Sequence, residues 1–336
     1  MRQQSPAHFD PLRPNRVLRE PESYEFAHGT DSVCVYDIRT MDFVTEIPVG
    51  KGPDCHSTSL DGRWLYVACS NGLYCIDQQS LCVAEVIDTG HVFGTNVMPD
   101  GVTMLLHDAY GGIIVLRDIQ SMDAIHIHKR VDVLQTNRDM DTLGGKGHFI
   151  GEGRYYLCCG WEHSSVFLID LEDDCSVETF MEGDPRLFRA DDLVVSRDKS
   201  RAYAARHAER IPSYVAVIDL ASKSVTKTIP TGRGTCGLTM SNDERYVIAS
   251  NDADDTISVI DTVSDEPAAT ISARSGCDAL GITGYIQGIS IGRQDEVYAY
   301  GCAGNGALVR FDDIAGAARW TVSYPGGKAS GSAQGA

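Results

Sequence analysis

The chain has 336 residues, 43% of them hydrophobic, and a formal charge of −18. That is ample material for a sizeable core, and the missing basic surface excludes nucleic acid and anionic membranes as partners, since both bind by displacing counterions. No apolar run reaches signal-peptide or membrane-span length, and the 11 cysteines form an odd, irregularly spaced set, so reduced thiols in a cytoplasmic setting are expected.

Residues 1–22 are rich in Pro and Arg and read as an arm that supplies a missing inner strand to the first repeat. From residue 23 to 323 one pattern dominates. Val33-Cys-Val-Tyr-Asp37 recurs as Leu73-Tyr-Cys-Ile-Asp77, Ile114-Val-Leu-Arg-Asp118, Val166-Phe-Leu-Ile-Asp170, Val215-Ala-Val-Ile-Asp219, Ile257-Ser-Val-Ile-Asp261 and Leu308-Val-Arg-Phe-Asp312. The spacing of 40 to 52 residues is that of a four-stranded unit that buries its faces only by stacking on its neighbours. The expected fold is therefore all-β, a seven-bladed β-propeller of four-stranded antiparallel blades. The tail 324–336, dominated by Gly, Ser and Ala, lacks the apolar surface to offset its ordering entropy and is expected to be disordered.

Within a repeat, Thr45-Glu-Ile-Pro-Val-Gly50, Ser59-Leu-Asp-Gly62 and Leu65-Tyr-Val67, matched by Thr228-Ile-Pro-Thr-Gly232 through Ser250-Asn251, resemble the YVTN family of bacterial propeller repeats. The resemblance implies a strand order in which the first strand ends at an Asp-Gly turn and the third at the recurring Asp. Variants of that turn are Asp100-Gly101, Glu152-Gly153, Asp198-Lys199, Asp243-Glu244 and Gln294-Asp295, types that tolerate positive φ or bond their own backbone.

Length is added at 129–147, 205–213 and 273–286, all connections that open on one face, so insertions should rim one mouth of the channel. Seven of the ten histidines map there: His56, His91 and His148 near the starts of first strands, and His28, His107, His163 and His207 near the ends of second strands. Imidazole is a common ligand for zinc, copper and iron, and first strands converge on the axis, so His56, His91 and His148 are the expected metal ligands. Asp191 and His207 are the expected proton carriers. Asp192, Cys236, Gln287 and Asp54 occupy similar rim positions, Cys55 and Cys236 offer thiol nucleophiles, and Lys146, Arg186, Arg189, Arg206 and Arg210 would suit an anionic substrate. His126 and His128, on an outer strand, are given no role.

The function these residues support is a metal-dependent small-molecule enzyme, an oxidoreductase or lyase, working at one mouth of the propeller. Two alternatives stand beside it. One is a non-catalytic scaffold or subunit presenting its rim to a protein partner; the other is a metal-independent lyase or isomerase using His and Asp.

Overall fold

The computed structural model describes residues 24–107, 114–118, 124–127, 143–160, 165–173, 175–181, 189–208, 210–272, 286–292, 295–301, 307–312 and 319–332. Within them the recurring aspartate is a turn residue. Asp37 Oδ1 accepts the main-chain N–H of Arg39 and Thr40 at 2.8 and 3.0 Å, and Asp261 Oδ1 does the same for Val263 and Ser264 at 2.8 and 3.1 Å. Main-chain bonds from Gln79 to Asp77 and from Ser264 to Asp261 hold both carboxyls below the usual carboxylate range. Four residues past the Asp the chain turns through positive φ, at Met41, Leu81, Lys223 and Asp265, which reverses the third strand into the fourth. The expected Asp-Gly turns form as well, with positive φ at Gly62, Gly101, Gly153, Lys199, Glu244 and Asp295. At Ser59, Ser196 and Ser241 the hydroxyl donates to the aspartate two residues on, at 2.6, 2.6 and 2.7 Å.

These turns divide the described strands into seven antiparallel sheets. The first holds β1 (Tyr24–His28), β2 (Ser32–Asp37) and β3 (Phe43–Pro48); the second β4 (Cys55–Thr58), β5 (Trp64–Cys69), β6 (Gly72–Asp77) and β7 (Cys82–Ile87). The third holds β8 (Gly94–Val97), β9 (Thr103–His107), β10 (Ile114–Asp118) and β11 (Ala124–Ile127). The fourth is β12 (Leu143–Ile150), β13 (Tyr155–Gly160), β14 (Ser165–Asp170) and β15 (Ser176–Met181). The fifth is β16 (Arg189–Val195), β17 (Arg201–His207), β18 (Tyr214–Asp219) and β19 (Ser224–Pro230). The sixth is β20 (Thr235–Met240), β21 (Tyr246–Asn251), β22 (Thr256–Asp261) and β23 (Glu266–Ser272). The seventh has five strands: β24 (Ile286–Ile291), β25 (Val297–Gly301), β26 (Leu308–Asp312), β27 (Arg319–Tyr324) and β28 (Gly327–Ser332).

The chain is a β-propeller. Apolar clusters fill the gap between each sheet and the next: Phe26, Val33 and Ile47 meet Leu65 and Val67, Leu157 and Val166 meet Leu193 and Ala204, and Tyr203 and Val217 meet Leu238 and Val247. The ring closes in the same way, Tyr36 and Met41 of the first sheet lying against Tyr298 and Leu308 of the seventh. Third strands are thus covered on both faces and read as continuous apolar runs, whereas fourth strands such as β3 alternate or are open to solvent.

Two expectations meet this architecture differently. The arm 1–22 lies outside the described residues, so the strand it was expected to add to the three-stranded first sheet is not described. The tail was expected to be disordered, but residues 327–332 form β28, paired with β27 from Tyr324↔Gly327 to Arg319↔Ser332. The turn at Pro325 and Gly326 folds the chain back on itself, and the main-chain ladder needs no large apolar side chains. Lys328 then anchors the strand, its Nζ lying 2.8 Å from the Thr40 carbonyl and 2.7 Å from Asp42 Oδ1.

Candidate functional site

Strand register places the candidate residues at one end of the channel. The beginnings of first strands pair with the ends of second strands, as in Cys55↔Ala68, Gly94↔His107, Arg189↔His207 and Thr235↔Asn251. His107 and His207 therefore stand at the same mouth as the residues that open β4, β8, β16 and β20. His28, the last residue of β1, pairs with Val33. His163 and Arg186 lie outside the described residues, and His126 lies on the outer strand β11; His128 is outside them too.

The three imidazoles expected to bind a metal do not gather. Among the described residues no three His, Cys, Asp or Glu side chains form a group that could hold a metal ion. His56 faces Val67, and His148 faces Leu157. Counted from Trp64↔Asp77 and Tyr155↔Asp170, these partners differ by one position, and a one-residue offset sends side chains to opposite faces of their sheets. His91 is not on a strand at all, lying before β8. His148 instead links two sheets, its Nε2 bonding the carbonyl of Leu193 on the next one at 3.0 Å.

His148 is one of a series. At the equivalent position Ser57 meets Thr95 at 3.1 Å, and Asn96 donates to the Tyr156 hydroxyl at 2.8 Å. Each is a buried or part-buried polar link from one sheet to the next. In the fifth sheet the link comes from Asp192, whose Oδ1 accepts its neighbour Leu193 N and whose Oδ2 accepts Leu238 N of the sixth sheet, both at 2.9 Å. Cys236 Sγ continues the series, 3.7 Å from the Ile286 carbonyl of the seventh.

In the later sheets β-bulges add a reason for such links. In β16, Asp191 and Asp192 together oppose one residue of β17; Cys236 and Gly237 do so in β20; residues 144–146, including Lys146, oppose one residue in β12, and Gln287 is the extra residue in β24. β4 and β8 have no such break. A bulge releases main-chain groups from the ladder, and buried ones must be paired elsewhere. Asp192 and His148 meet that need for Leu238 and Leu193, and Gly237 N finds the Ser250 hydroxyl at 3.0 Å.

Half of the mouth is nonetheless densely ionisable. Arg206, His207 and Asp192 are 2%, 3% and 5% exposed, and Asp191 is half-buried beside them. Burial pushes the Cys159 thiol far up; the charges of Asp192 and Asp191 raise it further, and that of Arg206 opposes them. His207 Nε2 lies 3.3 Å from Asp252 Oδ1. Asp252 was not among the expected site residues, yet it stands six residues past Tyr246 as His207 stands six past Arg201, the two strand partners of the recurring aspartates. Asp54, on a different sheet, is exposed just before β4, yet desolvation by the chain around it pushes its carboxyl up to about 6 against the pull of His91. His107 is all but buried, its ring occupying the space a side chain at Gly94 would need.

The thiols are not nucleophiles by environment. Nine described cysteines are thiols, eight of them buried and Cys82 exposed. Burial pushes Cys34 and Cys75 up to about 12 and Cys69 to about 11, and raises Cys236 as well, the reverse of what thiolate chemistry requires. No helix among the described residues is long and apolar enough to cross a membrane.

No family model matches the chain, and no curated protein matches it. Solved structures do. A Kuenenia stuttgartiensis hydrazine synthase chain aligns over 86% of this chain and 96% of its own at 15% identity and a TM-score of 0.65. The dihydro-heme d1 dehydrogenase NirN, in complex with DHE, aligns over 100% and 75% at 14% identity with a TM-score of 0.57. The Myceliophteria thermophila Cps50 (Swd1) β-propeller domain aligns over 84% and 95% at 14% identity with a TM-score of 0.60. At such identity the shared property is the fold, an all-β propeller of four-stranded antiparallel blades.

Proposed function

We propose that this chain is a seven-bladed propeller that performs acid–base chemistry on a carboxylate-bearing small molecule at the mouth between its fifth and sixth sheets, as a lyase or isomerase. The observation that carries the reading is the His207–Asp252 pair, 3.3 Å apart, its imidazole almost sealed from solvent and its carboxylate partly exposed. A carboxylate that orients an imidazole is the arrangement proton transfer needs, and burying an imidazole costs stability that packing alone does not repay.

In this reading the buried charge of Arg206, on the other face of β17, offsets from a distance the negative charge developing on the substrate. His207, held by Asp252, and Asp191 take and return the proton. Low exposure strengthens each of these interactions by excluding water. The reading replaces the metal-dependent one, because His148 is committed to Leu193 and His56 faces the other way. Propeller enzymes among the structural neighbours are compatible with a catalytic mouth, though no residue is carried over from them.

The test is a thermal-shift and NMR titration of the purified chain against a panel of small 2-oxo and hydroxy carboxylic acids. A member of the panel should stabilise the wild type and lose its effect in Asp191→Asn and His207→Gln. The reading fails if no acid in the panel binds, if copper, iron or zinc copurifies in stoichiometric amount, or if a second polypeptide copurifies in fixed ratio.

A further inference from the structure

Ser213 lies before β18, is 1% exposed and has no part in the chemistry above. Its hydroxyl oxygen receives the main-chain N–H groups of Ala208, Gly234 and Thr235 at 2.8, 3.1 and 3.2 Å. Its own proton goes to the Ala208 carbonyl, 3.2 Å away. Three donors thus converge on the two lone pairs of one buried hydroxyl, whose hydrogen is also used.

What it joins matters more than how tightly. Ala208 follows His207 directly. Gly234 N also bonds the Ala208 carbonyl at 2.8 Å, and Gly234 O accepts from Asp252 N at 2.8 Å. One hydroxyl therefore couples the residue after His207 to the residue that holds the main chain of Asp252. Gly234 adds a second constraint. Its φ is +72°, and a Cβ there would meet Asp252 Oδ1 at 1.8 Å, so the carboxylate is seated in the space that glycine leaves open.

We propose that Ser213 is the positioning residue of the His207–Asp252 pair, fixing the ring's orientation and tautomer through Ala208 and Gly234; this rests on reading that pair as the acid–base group. An ionised carboxylate only accepts, so a correctly held His207 carries its hydrogen on Nε2. Losing the Ser213 hydroxyl leaves the Ala208 and Thr235 N–H groups short of this acceptor, with Gly234 N kept only by the Ala208 carbonyl, and lets the strand ends shift, which frees the ring to sample the other tautomer.

The experiment reads the imidazole nitrogens of His207 by 15N NMR in the full chain, comparing wild type, Ser213→Ala, Ser213→Thr, Asp252→Asn and Ser57→Ala. The last removes a buried hydroxyl on a distant sheet and controls for general loosening. The wild type should show a single Nε2–H tautomer; Ser213→Ala should lose it and move toward the Asp252→Asn pattern. Ser213→Thr, which keeps the hydroxyl, should restore it, and Ser57→Ala should leave it intact. If Ser213→Ala does not fold, Ser213→Cys, a weaker acceptor, carries the same comparison. The proposal is overturned if the His207 signals of the Ser213 variant match the wild type, if Ser57→Ala alters them equally, or if the wild-type ring is already divided between tautomers. Because the ring is read directly, a chain that binds none of the carboxylic acids still decides the role of Ser213.

Discussion

The Nε2 of His148 and the carbonyl oxygen of Leu193 are 3.0 Å apart and join the first strands of two consecutive sheets. The carbonyl can only accept, so the ring is the donor and must carry its hydrogen on Nε2. His148→Ala should then cost about 1–2 kcal/mol, the value of a part-buried hydrogen bond whose acceptor is left without this donor. His148→Phe, which keeps the packing and not the donor, should lose a similar amount. Urea denaturation measures both, and a wild-type midpoint in His148→Phe would show that the bond contributes nothing.

Asp192 carries a heavier share because both of its oxygens are used, one by Leu193 N and one by Leu238 N. Asp192→Asn keeps the shape but points an amide NH2 at one of the two N–H groups. The expected loss is about 2–3 kcal/mol, larger than for His148 because the acceptor is charged and the site is buried. Far-UV circular dichroism under urea checks the size, and hydrogen exchange at Leu238 checks the location: that amide should lose its protection ahead of the rest of β20.

These two residues also mark how far the sequence could be read. The propeller was legible because each third strand is covered on both faces and ends in an aspartate that closes a turn, a local signal repeated at Asp37, Asp77, Asp170, Asp219 and Asp261. The end of the channel at which His107 and His207 stand was legible from strand order. The directions of the histidine side chains were not. His56 stands opposite the third residue past Trp64 and His148 opposite the second past Tyr155, and with period-two side chains that single residue inverts the face. Asp192 and Cys236 looked like rim ligands because bulges and the main-chain groups they release leave no mark in residue type.

Asp54 gives a pH dependence of definite sign. Its carboxyl is raised from an ordinary value of 3.8 to about 6, first by desolvation, with His91 acting the other way. Between those values the folded chain binds more protons than the unfolded chain, so this group's contribution to stability falls as pH rises through the window and stays unfavourable above it. Asp54→Asn should therefore melt higher than the wild type at pH 8 and match it at pH 3.5. The turn aspartates have the opposite sign. Asp198 is lowered to about 2, chiefly by the Ser196 hydroxyl, so its stabilisation is present above the unfolded value and is lost as pH falls toward 2. Melting curves of Asp54→Asn and Asp198→Asn against wild type separate the two, and a constant difference across pH for Asp54→Asn would refute the assigned shift.

Closure of the ring combines contacts of unequal worth. Between the seventh and first sheets, Lys328 reaches the Thr40 carbonyl and Asp42, Arg310 Nη1 donates to the Ile38 carbonyl at 3.0 Å, and the buried Ser323 hydroxyl donates to the Met41 carbonyl. Lys328 and Asp42 are 39% and 63% exposed, so Lys328→Met should cost no more than about 1 kcal/mol, and less at high salt. Ser323→Ala leaves a buried carbonyl without its donor and should cost about 1–2 kcal/mol at any ionic strength. Deleting residues 325–336 removes β28 and uncovers β27 as an edge strand, so that variant should be the least stable of the three and the most prone to associate. Denaturation at low and high salt, with light scattering to follow association, ranks them; a truncated chain as stable and monomeric as the wild type would show that β28 adds nothing to closure beyond its ladder.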